Sequence, residues 1–167
     1  MSDIIIFTDG STLNNQNKGK RKGGVGVFFG KNDERNISMP LKETSSNKVT
    51  NQVTELLACV MALETLLSSQ IVKSKKIIIY TDSIYIVNMM SDWIKKWVKN
   101  DWKKSDGKLV DNIELIKKLY FYSMNISVKF KHVRSHQKEP SKDSSDYNIW
   151  VGNDQADKLA VAASKSL

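Results

Sequence analysis

Two segments of this chain are near copies of each other: Ile4-Ile5-Ile6-Phe7-Thr8-Asp9 and Ile77-Ile78-Ile79-Tyr80-Thr81-Asp82. Short runs rich in Ile and aromatic residues read as buried β-strands. Laid side by side and parallel, they bring Asp9 and Asp82 out at the same edge of one sheet. Carboxylates gathered there repel each other, which is costly unless a cation sits between them. A divalent-metal site is therefore the first expectation.

The segments around these runs complete a fold. After the first run comes a polar, turn-rich loop, Asn14 to Gly24, then a strand over residues 25–29 and a third over about 37–41. Three strands joined without helices suggest an antiparallel meander. The period then changes: Val53, Leu56, Leu57, Val60, Leu63 and Leu67 form the stripe of an amphipathic helix, with Thr50 or Asn51 as its N-cap. There follow a strand at 77–81, a helix from about Ser83, a Trp/Lys-rich stretch, a helix over 112–124 and a strand over 126–133. The insert at about 138–152 is polar and reads as a long, mobile loop, and residues 153–164 read as a terminal helix. The expected class is α/β, a mixed five-stranded sheet with helices packed on it.

At 167 residues the chain can bury a core as one domain without disulfides. Its single Cys59 falls on the apolar helical stripe, as a small core residue would. There is no basic leader and no long apolar segment at the start, so an intracellular, by default cytoplasmic, monomer without a membrane partner is expected.

A net charge of +8 favours a polyanionic partner. Trp93, Trp97 and Trp102 are interleaved with Lys95, Lys96, Lys99, Lys103, Lys104 and Lys108. Such a stretch (about 93–108) is either an amphipathic helix with an aromatic seam or a basic handle that tracks a phosphate backbone. Two further acids are placed to join Asp9 and Asp82. Glu55 lies early in the amphipathic helix, where it could equally complement the helix N-terminus. Asp157 lies in the last helix, with Asp154 as its competitor.

Four segments together resemble the signature motifs of type 1 ribonuclease H: Phe-Thr-Asp-Gly-Ser at 7–11, Thr-Asn-Gln-Val-Thr-Glu-Leu at 50–56, Tyr-Thr-Asp-Ser at 80–83, and Asn-Asp-Gln-Ala-Asp-Lys-Leu-Ala at 153–160. They occur in the family's order over essentially the whole chain. The resemblance implies a ribonuclease H-like fold with helices on both faces of the sheet. It also implies an endonuclease that cuts the RNA strand of RNA–DNA hybrids, leaving 5′-phosphate and 3′-hydroxyl ends, with little sequence preference. By the same resemblance Asp9, Glu55, Asp82 and Asp157 are the catalytic carboxylates. They would hold two Mg²⁺ ions, with Mn²⁺ as a substitute, Asp9 bridging the pair. His136, in Lys-His-Val-Arg-Ser-His at 131–136, matches the family's loop histidine, expected to assist proton transfer or product departure.

The implied substrate contacts are spread along the chain. Tyr85 and Trp93 would line the channel for the DNA strand, with Lys95, Lys96 and Lys99 on the handle. Lys48, Thr50 and Asn112 would hold a DNA phosphate away from the cut. Asn15, Asn51 and Gln52, with the backbone near Gly10 and Ser11, would read the minor groove, where RNA shows its 2′-hydroxyls. Two other functions compete: a resolvase- or integrase-like DNA nuclease on the same fold, and a non-catalytic hybrid-binding module. The start of the chain coincides with the start of the family's catalytic domain, so a separate N-terminal hybrid-binding domain is not expected in it.

Overall fold

A computed structural model describes residues 3–13, 16, 19–69 and 75–167. Asn15, expected to read the minor groove, lies outside the described residues. Strands β1 (Ile4–Leu13), β2 (Lys22–Phe28) and β3 (Ile37–Lys42) form the meander; helix α1 (Asn51–Leu67) and strand β4 (Lys76–Thr81) follow. Next come α2 (Ile84–Asn88), a π-helical turn (Met89–Trp93) and α3 (Ile94–Lys99), then α4 (Ile113–Asn125), β5 (Ser127–His132) and α5 (Tyr147–Lys165).

The five strands lie in the order β3-β2-β1-β4-β5. The meander pairs antiparallel, whereas β1–β4 and β4–β5 pair parallel. The two Ile runs are therefore neighbours in register, Ile4 beside Ile77 and Thr8 beside Thr81. β1 continues to Leu13 against β2, while its pairing with β4 stops at Thr8. Past that point the sheet has a notch, and both Thr-Asp sequences end there.

Side-chain alternation assigns the layers. On β2, a Cβ at Gly23 would meet Val49 and Thr54 at the start of α1, while one at Gly24 or Gly26 would run into the α5 backbone at Ala160 or Ala156. Hence α1 covers one face and α5 the other, and glycine at 24 and 26 is what lets α5 lie directly on the sheet. The main core sits on the α1 side: Ile6, Val25, Val27, Leu56, Leu63, Leu66, Ile77 and Ile79 are all buried. Cys59 is buried too, its Sγ 3.6 Å from the Thr8 hydroxyl.

Thr50 is the N-cap of α1, its hydroxyl accepting the Val53 N–H at 3.1 Å. Two elements differ from the sequence expectation. The terminal helix starts at Tyr147 rather than Asn153, so its first turns consume part of the 138–152 insert. These turns carry apolar anchors within a polar stretch: Tyr147 and Trp150 stack at 6.3 Å, and Gly152 is buried under the Phe7 ring. The helix after Ser83 contains a turn one residue wider than α-helical, closed by Ile94 N–H donating to the Met89 carbonyl. Spacing of apolar residues does not register one extra residue in a turn. Among the described residues, no helix is long and apolar enough to cross a membrane.

Candidate active site

The notch at the end of β4 is lined by acids from four elements. Asp9 comes from β1, Glu55 from α1, Asp82 directly follows β4, and Asp157 comes from α5; all four line one cavity of about 370 Å³. One carboxylate oxygen from each of Asp9, Glu55 and Asp82 lies within 4.8 Å of the others. Asp157 is outside that triad but close enough to raise the pKa values of Asp9 and Asp82. Asp154 and Asn153 share a smaller recess with Asp9, Asp82 and Asp157, beside the triad.

Local backbone chemistry sets the triad. The Gly10 N–H donates to Asp9 Oδ1 at 2.9 Å and to Glu55 Oε1 at 3.0 Å, tying the two acids to one donor. A Cβ at Gly10 would overlap Thr54, so glycine there is what allows α1 to approach β1 this closely. The Thr12 hydroxyl donates to Asn51 Oδ1 at 2.9 Å, a second tie between β1 and the start of α1. On the other side, His132 Nε2 is 3.2 Å from the Asp82 carbonyl oxygen.

The electrostatics are those of crowded, half-desolvated carboxylates. Burial, then Glu55 and Asp82, push the Asp9 pKa far above the usual carboxylate range. Burial and then Asp82 push Glu55 up to about 8, although the Gly10 N–H pulls the other way. Asp82 is raised by burial and by Asp157, against a lowering influence from His136 and His132. Glu55 Oε2 is buried and has no hydrogen-bond partner. An orphaned buried oxygen beside two more carboxylates is the donor set a hard divalent cation requires, and the residues present fit such an ion.

His136 lies at the rim of this cavity, in left-handed backbone (φ 54°) on the loop after β5. That conformation costs a non-glycine residue about 1 kcal/mol. The loop is tied to α5 by Trp150, whose indole N–H donates to the Gln137 carbonyl at 2.8 Å. Sequence reasoning missed Trp150, Ser135 and Gln137, all in the recess against Asp9 and Asp82. One signal was present: Trp150 stands seven residues before Asp157, two helical turns and the same helix face.

Gly10, Asn51 and Gln52 line the same cavity as the acids. Ser11, on the α5 face of the sheet, is not part of that lining; its hydroxyl lies 3.1 Å from that of Ser164. Lys48 and Asn112 share a separate groove of about 690 Å³. Thr50 is not part of its lining; its hydroxyl is occupied in capping α1. Tyr85 meets Trp93 edge-on at 5.5 Å, and Trp93 lies 6.2 Å from Trp97. Lys95, Lys96 and Lys99 are exposed on α3, with Lys96 3.6 Å from Asp92.

The comparisons with known proteins agree with this geometry. The family model described as RNase H matches residues 1–165. Ribonuclease H of Schizosaccharomyces pombe is 37% identical over 156 residues, 93% of this chain and 51% of that protein. Ribonuclease H1 of Homo sapiens is 30% identical over 97% of this chain and 50% of its own length. The chain thus spans about half the length of these two relatives. Ribonuclease H of Orientia tsutsugamushi is 35% identical, covering 95% of this chain and 80% of that protein. Among solved structures, a foamy viral protease-reverse transcriptase in complex with RNA/DNA hybrid superposes with a TM-score of 0.76. It is 22% identical, covering 98% of this chain and 20% of that one. A type 1 RNase H with the type 2 active-site motif gives 0.72 at 22% identity, over 99% and 74% of the two chains. These two structural likenesses bear on the fold alone. A family match running through all four acid-bearing segments carries the assignment: the chain belongs to the ribonuclease H family.

Proposed function

We propose that this chain hydrolyses the RNA strand of RNA–DNA hybrids, leaving 5′-phosphate and 3′-hydroxyl ends. The observation that carries the reading is the convergence of Asp9, Glu55 and Asp82 within 4.8 Å around an unpartnered Glu55 oxygen. Asp9, Glu55 and Asp82, with Asp157 alongside, would hold two Mg²⁺ ions, or Mn²⁺ in their place. Bound there, such ions lower the pKa of a water molecule and stabilise charge on the departing 3′-oxygen.

The chain's own groups do the rest. The Gly10 N–H fixes the Asp9 and Glu55 carboxylates before substrate arrives, so little reorganisation is needed at the moment of reaction. Asn51 and Gln52, beside Gly10 on the wall of the cavity, are placed to hydrogen-bond 2′-hydroxyls and minor-groove base edges. The His136 imidazole, at the rim, can carry a proton between the reacting centre and bulk water. Away from the cut, Lys48 and Asn112 offer donors to a DNA phosphate. The α3 lysines add sequence-neutral attraction to the backbone.

The test is cleavage of three labelled substrates, an RNA–DNA hybrid, duplex RNA and duplex DNA, each with Mg²⁺ or Mn²⁺. Cutting confined to the RNA strand of the hybrid is expected. Asp82→Asn should abolish it, and His136→Ala should lower kcat by about 10² while retaining measurable activity. Hybrid cleavage by Asp82→Asn at the wild-type rate would sink the assignment. Cutting of duplex DNA with the hybrid intact would point to a resolvase-like enzyme, and binding without cutting to a scaffold.

A further inference from the structure

The arm that carries His136 has few anchors of its own. Its first is at the end of β5, where the Val133 N–H donates to the Thr81 carbonyl at 2.9 Å. Its later bonds, Asp143 and Ser144 N–H to Ser141 and Tyr147 N–H to Ser144, hold only neighbours in sequence. In between, Gln137 Nε2 reaches no farther than the Ser135 carbonyl, at a long 3.5 Å. Apart from the bonds by which the arm runs into the first turn of α5, one hydrogen bond among the described residues joins it to a helix: Trp150 Nε1 to the Gln137 oxygen, 2.8 Å. That carbonyl belongs to the residue directly after His136, whose backbone is left-handed.

Trp150 is itself held on two sides. It lies in the first turn of α5, where its N–H donates to the Asp146 carbonyl at 2.9 Å. Its ring stacks on Tyr147 with an interplanar angle of 23°. Two turns further along the same helix is Asp157, and Trp150, His136, Asp9, Asp82 and Asp157 line one recess. One rigid helix therefore carries both an acid of the site and the donor that fixes the histidine arm.

We propose that Trp150 is a positioning residue for His136, holding the loop after β5 at the rim of the carboxylate cavity through its bond to the Gln137 carbonyl. The inference rests on the proposed hydrolysis of hybrids for its kinetic consequence. A bond to the neighbouring backbone leaves the imidazole free to swing while limiting how far it can stray. The distance constraint matters because misplacing a catalytic group by about 1 Å can cost up to 10²-fold in rate.

The experiment is a double-mutant cycle on hybrid cleavage with Trp150→Phe, His136→Ala and the pair. Phe keeps an aromatic ring against Tyr147 and removes the donor together with part of the indole's bulk. Trp150→Phe should lower kcat about tenfold, less than His136→Ala does, with KM within about twofold of wild type. In the His136→Ala background the same change should have no further effect, because the group it positions is gone. A Trp150→Phe loss that persists undiminished without His136, or no loss at all, would overturn the proposal. A second measurement needs no variant: the Trp150 indole proton in wild type should exchange with solvent at least about tenfold slower than a free indole. Exchange at the free rate would overturn the clamp. A wild type that does not cut hybrid would defeat the functional reading instead, and the indole measurement would still decide the clamp.

Discussion

Glu55 has one carboxylate oxygen on the Gly10 N–H and the other buried without a partner, in a carboxylate that lies beside those of Asp9 and Asp82. Its pKa is raised from about 4.5 in the unfolded chain to about 8 in the folded one. A raised acid contributes stability that is fully present below about pH 4.5 and is lost as pH rises through about 8. Metal-free protein should therefore lose stability between about pH 4.5 and 8. Glu55→Gln, which cannot ionise, should be more stable than wild type at pH 8.5 without metal by about 2 kcal/mol, roughly 4–8 °C in Tm. Adding Mg²⁺ or Mn²⁺ should raise wild-type Tm more than that of the variant. Thermal melts of both proteins, with metal and with chelator, check this; equal melts at pH 8.5 would refute it. Glu43 behaves oppositely. Its buried carboxylate, paired with Arg21 at 2.8 Å and accepting the Val49 N–H, is held down to about 2. Its contribution is present above about pH 4.5 and is lost as pH falls through about 2.

Among elements, the contact between β2 and α5 decides where Asp157 stands. Gly26 pairs with Asp9 across the sheet, and a Cβ there would enter the Ala156 carbonyl, one residue from Asp157. Gly26→Ala should push α5 outward, destabilise by about 1–3 kcal/mol and lower kcat. Gly30→Ala meets nothing within 4 Å and serves as the control, with Tm and kcat unchanged. If both substitutions behave alike, close packing of α5 does not set the site.

The same elements show what the sequence could reveal. The Ile runs were legible as short apolar stretches with Ile6, Ile77 and Ile79 fully buried, and the α1 stripe because burial of one side of a helix imposes a period. The start of α5 was not, because Ser141, Ser145, Asp146 and Asn148 are exposed and the packing rests on a few residues such as Tyr147, Trp150 and Gly152. Glu55 and Asp157 were ambiguous from spacing alone. What selects them is a glycine N–H and a notch between strands, and neither has a local sequence signature. The four ordered motifs resolved that ambiguity through the family resemblance.

On the scale of the whole molecule, a chain with net charge +8 concentrates four acids in one cavity. On the proposed function, the lysines attract the polyanion while the acids, until neutralised, repel its scissile phosphate. Capture and cutting should therefore separate experimentally. Replacing Lys95, Lys96 and Lys99 together by Ala should raise KM for the hybrid and reduce the slope of log affinity against log salt by roughly 2, with kcat at saturation near wild type. An unchanged salt slope would remove α3 from the interface. The acids come from residues 9, 55, 82 and 157, and the β1–β4 pairing that unites the first with the third joins Ile4 to Ile77. Contacts so distant along the chain form late and slowly. A growing polypeptide thus carries its Trp/Lys-rich stretch well before Asp157 exists, with the set of four acids incomplete until then. The fourth acid joins the cavity only when α5 closes over β2, which makes the last helix a clock as much as a wall.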